Sequence, residues 1–227
     1  MRGSHLAVCV ADVATTRPAS LAVFYRHNID YSCNGSLPLN EACALANVSP
    51  DALFDEIEKE ESNHETTPVN WNSRPLVEVL HHLVTHYHEP ERTALHHLVR
   101  LTSRVPPTKN DGTTSPVVEK LFHEVRVFAD ELIRHMAKEE QILFPWIASG
   151  RGSQAAAPIA AMLREHRDTV QTLVRMKKLT KHFQPLEDTD PLLTELCTQL
   201  AVFDREIREH IHLENNVLFP RALRETN

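Results

Sequence analysis

Glycine is scarce, with five in 227 residues, which excludes collagen-like and glycine-rich low-complexity architectures. Four cysteines (Cys9, Cys33, Cys43, Cys197) lie at irregular spacing. They are too sparse for a disulfide scaffold and fit a reducing cytoplasm. No apolar run approaches the roughly 20 residues needed to span a bilayer. Lys and Arg form no cluster, and the net charge is −7 with a pI near 6.1, which argues against a nucleic-acid or anionic membrane surface. At 41% hydrophobic and 24% charged, the composition is that of an ordinary globular chain. Histidine is what the chain has in excess: its fifteen outnumber glycine, cysteine and methionine together.

The opening Met1-Arg2-Gly3-Ser4-His5 resembles an expression-vector leader, so residues 1–17 read as a leader outside the fold. Leu6–Val10 is apolar, but Asp12 and Arg17 interrupt it, which disfavours a signal peptide. Residues 18–62 read as a small helical domain. Its Asn34-Gly35 supplies a turn, and Ser49-Pro50-Asp51 supplies a cap, a first-turn proline and an acid at the positive helix end. Residues 63–74 lack periodicity and read as a linker. From 75 to 224 the apolar spacing predicts four long helices, at about 75–104, 115–146, 154–183 and 190–220. Pro106-Pro107, Asp111-Gly112, Gly150, Gly152 and Pro185 punctuate them. No period-two alternation is present, so the fold class is all-α: an up-down four-helix bundle behind a small helical N-terminal domain.

Two helices end in related strings, His135-Met-Ala-Lys-Glu139-Glu-Gln-Ile-Leu-Phe-Pro145 and His210-Ile-His-Leu-Glu214-Asn-Asn-Val-Leu-Phe-Pro220. His, Glu, Leu, Phe and Pro recur at an offset of 75 residues, which implies an internal duplication. Residues i and i+4 share a helix face about 6 Å apart along the axis, so each His-Glu pair can converge on one point. Two such helices face to face would surround a shared centre with two imidazoles and two carboxylates, as in dinuclear metal sites. The third helix offers Glu165-His166. The first offers His88, with His81 one heptad earlier as its competitor. A lone histidine among apolar neighbours is usually a packing residue, which describes His27, His64, His96, His123 and His182.

These strings resemble the iron–sulfur cluster repair di-iron proteins, a hemerythrin-like family. Tyr87-His88, Gly152-Ser153-Gln154 ahead of Glu165-His166, and Ile29-Asp30-Tyr31-Ser32-Cys33-Asn34-Gly35 are also similar to it. The resemblance spans about residue 18 to the end. It implies two non-haem iron ions per chain, oxo- and carboxylate-bridged, with His88, His135, His166 and His210 as ligands and Glu139 and Glu214 as bridges. Glu165, about 100° around the helix from His166, would be a secondary or exchangeable ligand. The family pattern has two adjacent cysteines where this chain has Ser32-Cys33, so any thiol chemistry would rest on Cys33, with a packing role as the alternative. Pro90 should kink the first helix beside His88.

The resemblance further implies cytoplasmic repair of clusters damaged by nitric oxide or oxidative stress. Iron would pass to damaged iron–sulfur proteins, or nitric oxide would be reduced to nitrous oxide with electrons from an external donor. A carrier or sensor of oxygen or nitric oxide, and a structural zinc bundle, are the competing classes; the sequence leaves room for a homodimer.

Overall fold

The computed structural model describes residues 8–63, 69–104, 115–184 and 191–225, and among these the regular structure is helical apart from one bridge between Cys9 and Pro38. Pro106, Pro107, Asp111, Gly112 and Pro185, read above as punctuation, and His64 lie outside the described residues.

The small domain comprises α1 (Val10–Thr16), α2 (Ser20–Arg26), α3 (Leu39–Leu45) and α4 (Pro50–Ser62). Part of the expected leader therefore belongs to the fold. Val10, Val13 and Ala14 are spaced as one helical stripe, and they are buried against Phe24, Leu39 and Leu53. Residues 1–7 of that leader lie outside the described residues. Ser49 caps α4 by accepting from the Ala52 N–H at 3.2 Å. Arg17 donates two hydrogen bonds to the Glu61 carboxylate, at 2.7 and 2.6 Å, and ties the end of α1 to the end of α4.

The bundle contains α5 (Leu76–His82), α6 (Glu89–Arg104), α7 (Pro116–Lys138), α8 (Phe144–Ala148), α9 (Ala156–Leu179), α10 (Pro191–Leu213) and α11 (Phe219–Arg224). Wide π-turns, Leu83–His88, Glu139–Leu143 and Glu214–Leu218, join α5 to α6, α7 to α8 and α10 to α11. The first, second and fourth long rods are thus composite helices, whereas the third is the single helix α9. The third ends at Leu179 rather than near 183, because Lys181, His182 and Phe183 all take left-handed backbone with φ of 45°, 69° and 59°.

Pro90 was expected to kink the first rod, and a π-turn is the form the disruption takes. The Glu89 N–H bonds to the Val84 carbonyl five residues back, which opens the turn where the proline ring would otherwise press on the preceding carbonyl. Pro145 and Pro220 stand in the same relation to the other two π-turns, whose Phe144 and Phe219 N–H groups bond to the carbonyls of Glu139 and Glu214.

Apolar side chains form two layers along the bundle. One holds Leu98, Phe128, Leu132, Leu173 and Phe203; the other holds Leu83, Phe144, Ile159, Leu218 and Phe219. Successive rods run through these layers in opposite directions, as an up-down bundle requires. Val77 and Val174 are exposed despite their apolar character.

At Gly152 a Cβ would lie 2.4 Å from the Ala222 carbonyl oxygen, so the chain entering α9 can cross α11 only without a side chain there. Gly152→Ala would ordinarily gain ~0.4–1 kcal/mol by restricting the unfolded chain. Here the clash is with backbone, and we expect a net loss of about 1–3 kcal/mol in urea denaturation.

Candidate metal centre

His88, His135, Glu139, His166, His210 and Glu214 meet in the band between the two apolar layers, each 3% exposed or less. Their atoms form two groups able to hold a metal ion: His88, His210, Glu139 and Glu214 in one, His135, His166, Glu139 and Glu214 in the other. Both glutamates belong to both groups. Glu139 turns Oε1 toward His135 Nε2 (3.3 Å) and Oε2 toward His88 Nε2 (3.7 Å). Glu214 turns Oε1 toward His210 Nε2 (3.2 Å) and Oε2 toward His166 Nε2 (3.1 Å). Such a split suits a carboxylate that bridges two cations.

The outer nitrogens fix the protonation of the rings. Nδ1 of His88 meets Glu140 Oε1 at 2.7 Å, and Nδ1 of His210 meets Glu91 at 2.9 Å. Nδ1 of His135 meets Glu165 Oε2 at 2.8 Å, and Nδ1 of His166 meets Asn215 Oδ1 at 2.7 Å. Each partner oxygen accepts, so each Nδ1 donates and, in a neutral ring, each Nε2 aims a lone pair inward, the arrangement of metal-bound histidine. Inside, His88 Nε2 faces His210 Nε2 at 3.2 Å and His135 Nε2 faces His166 Nε2 at 2.9 Å. All four carboxylate oxygens of Glu139 and Glu214 are buried with no hydrogen-bond partner. Lone pairs packed this closely repel unless positive charge lies among them.

Protons can supply some of that charge. Burial disfavours imidazolium at His135, yet Glu139 and Glu165 outweigh it and raise the group to about 10. Burial likewise opposes ionisation of Glu214, but His210, His166 and His88 hold its carboxyl well below the usual range. Two divalent cations would meet the whole donor set, since every inward atom is an imidazole nitrogen or a carboxylate oxygen.

Glu165, expected as a secondary ligand, belongs to neither group. Its carboxylate sits on the outer nitrogen of His135, pairs with Lys138 and is about a third exposed. It fixes the His135 ring from outside instead of facing the centre. His81 is exposed and away from the site. Cys33 is a free thiol packed against the bundle core. Burial first, and the Asp30 charge second, push it up to about 12, so it remains protonated at neutral pH.

Sequence reasoning missed Glu91, Glu140 and Asn215. Glu91 follows His88 by three residues on one face, which was a usable signal. Glu140 and Asn215 are related by the same 75-residue offset as Glu139 and Glu214, which they adjoin.

Fold and site together define a hemerythrin-type cation-binding bundle. Comparison with known proteins agrees. Residues 79–222 match the hemerythrin HHE cation-binding domain, and residues 8–61 match ScdA_N, described as a domain of unknown function. An iron–sulfur cluster repair protein, YtfE, of Dickeya chrysanthemi (strain Ech1591) is 35% identical over 95% of this chain and 96% of its own length. The protein of that name from Yersinia pseudotuberculosis serotype O:1b (strain IP 31758) is 36% identical over 93% of this chain and 95% of its own. The chain belongs to this hemerythrin-domain family of iron–sulfur cluster repair proteins. Among the described residues no helix is long and apolar enough to cross a membrane.

Because the acceptor set is assembled only on folding, cations should stabilise the fold by mass action. Adding Fe²⁺ to chelator-stripped protein at 100 times its Kd should contribute about 2.7 kcal/mol per site. Thermal melting at graded Fe²⁺ checks this, and a midpoint indifferent to metal would sink the cation reading.

Proposed function

We propose that this protein repairs iron–sulfur clusters damaged by nitric oxide or oxidative stress, working in the cytoplasm from a non-haem di-iron centre. His88, His135, His166 and His210 would hold the two irons, with Glu139 and Glu214 bridging. The observation that carries the reading is the pair of buried acceptor groups sharing both glutamates, in a chain whose relatives are named for cluster repair. When bound, iron supplies the metal a damaged cluster has lost and, as ferrous iron, electrons that nitric oxide can take up.

The chain's own groups do the rest. Glu91, Glu140, Glu165 and Asn215 hold the imidazoles in one tautomer and orientation. Phe144 stacks on His88 with centroids 5.5 Å apart, and Phe219 stacks on His166 at 5.9 Å. These rings exclude water and stop the ligands from turning away. Glu165 with Lys138 forms the most accessible edge of the site and suits the passage of iron to a client iron–sulfur protein.

A second route is favoured by the adjacency of the two groups, which would bring two nitric oxide molecules side by side. Two nitric oxide molecules, two electrons and two protons then give nitrous oxide and water, with an external donor restoring the electrons.

Anaerobic loading with Fe²⁺ should give two irons per chain, and Glu139→Ala or Glu214→Ala should each lower that number. Full retention in both single variants would remove the bridging roles. Loaded protein is then mixed with a metal-depleted iron–sulfur protein, or given nitric oxide under reducing conditions. Cluster recovery marks iron donation, and nitrous oxide marks reduction. Neither product would leave a carrier of oxygen or nitric oxide.

A further inference from the structure

We propose that the two metal positions are unequal: the one between His135 and His166 holds its ion more weakly, and docking of the N-terminal domain on Asn215 sets how weakly. This rests on the di-metal reading above and adds to it which ion leaves first and what controls its departure.

The inequality lies in the groups behind the imidazoles. His88 and His210 are both backed by carboxylates. Glu91 is 3% exposed, and among the described residues its oxygens pair with His210 alone. Glu140 serves His88 while sharing its charge with Arg92. A buried carboxylate accepting from Nδ1–H makes Nε2 a stronger donor to a metal. The other position is poorer. The carboxylate behind His135 is that of Glu165, partly exposed and paired with Lys138 much as Glu140 is with Arg92, so the difference rests on His166. His166 is backed by the uncharged amide of Asn215.

Asn215 stands at the position that Glu140 occupies in the first repeat, 75 residues earlier. The amide forgoes negative charge but has a donor that a carboxylate lacks. Its Nδ2 donates to the main-chain carbonyl of Ser32 at 2.9 Å. That carbonyl belongs to a loop fixed by Asp30, whose carboxylate accepts from the Ser32 and Cys33 N–H groups, each at 3.0 Å. Only two hydrogen bonds therefore separate the main chain of the small domain from a ligand imidazole. Docked, the Ser32 carbonyl holds Asn215 with its oxygen toward His166. Undocked, the amide is free to turn and His166 loses its orienting partner.

Neighbouring contacts hold the docked state. Asn216 Nδ2 donates to the Tyr31 carbonyl at 3.0 Å, and the Tyr25 hydroxyl donates to Asp204 Oδ2 at 2.8 Å. A Cβ on Gly35 would lie 2.6 Å from Asn216 Oδ1 and 2.8 Å from Ala11 Cβ, so this face closes only over glycine. A client protein that pulled the small domain away would loosen the weaker ion first.

The test uses the full chain loaded with Co²⁺ and challenged with excess EDTA, the loss being followed in the visible spectrum. Wild type should release its two ions in two equal phases with rates at least about 10-fold apart, the size of effect known for groups behind metal-bound histidines. Asn215→Ala should hasten the fast phase about 10-fold and spare the slow one; Glu91→Gln should hasten the slow phase. Gly35→Val, and the milder Tyr25→Phe, should hasten the fast phase alone. Each unaffected phase serves as a control against general unfolding. Release of two ions in one phase, or Asn215→Ala and Glu91→Gln acting on the same phase, overturns the inequality while leaving the di-metal reading intact. Control by docking is overturned if Gly35→Val and Tyr25→Phe both leave the fast phase unchanged. Failure of the wild type to take up two ions overturns the di-metal reading itself.

Discussion

Eight inward-facing atoms, four imidazole nitrogens and four carboxylate oxygens, sit buried in the middle of the bundle, and among the described residues the carboxylate oxygens have no hydrogen-bond partner. Much of the structure follows from keeping them together. Burying an unpaired carboxylate costs several kcal/mol, so Glu139 and Glu214 are tolerable only with positive charge between them. The apolar layers on either side exclude water and rigidify the rods that aim the ligands. The Nδ1 partners are acceptors without exception, because a donor there would turn the ring's proton inward and abolish a ligand atom. A cation thus completes the interior of this protein, in the same sense that packing completes an apolar core.

The π-turns belong to the same problem. His135, Glu139 and Leu143 are all buried, as are His210, Glu214 and Leu218. Steps of four residues drift around a regular α-helix, which advances about 100° per residue. A wider turn takes up that drift and returns the chain to the core face for Phe144 and Phe219, which stack on the His88 and His166 rings contributed by other rods. The proline after each turn has no N–H to offer, so opening the ladder there forfeits little. In these three places proline is a component of the site's geometry, whereas a reading of Pro90 alone suggests only a kink.

The duplicated strings made His135, Glu139, His210 and Glu214 legible, because one helix carries each pair and i, i+4 spacing is independent of tertiary structure. Spacing alone shows His88 and His166 only as polar residues on or beside apolar faces, and it is the family resemblance that marks them out. The groups behind the imidazoles were harder still: Glu140 bonds to His88 and Asn215 to His166, each across to another rod. No within-helix rule supplies that information. The resemblance suggests a secondary ligand at Glu165, whose partner in the structure is the outer nitrogen of His135. The first helix was obscured by a vector-like opening, although Val10, Val13 and Ala14 already had helical spacing.

Duplication accounts for the symmetry of the centre, and departures from it account for where the small domain sits. The first repeat has Ala137, Glu140 and Gln141 where the second has His212, Asn215 and Asn216. The second set forms the docking face. Asn215 binds the Ser32 carbonyl, Asn216 binds the Tyr31 carbonyl, and the His212 ring meets the Tyr31 ring edge-on with centroids 5.8 Å apart. A main-chain carbonyl asks for donors, which the amides provide and a carboxylate cannot. The equivalent surface of the first repeat keeps only the Gln141 amide, since Glu140 is a carboxylate already committed to His88 and Arg92. One glutamate-for-asparagine difference between the halves therefore does two things at once. It adds a donor, beside Asn216 and His212, to the face that receives the N-terminal domain, and it leaves the histidine beneath that face with a neutral partner.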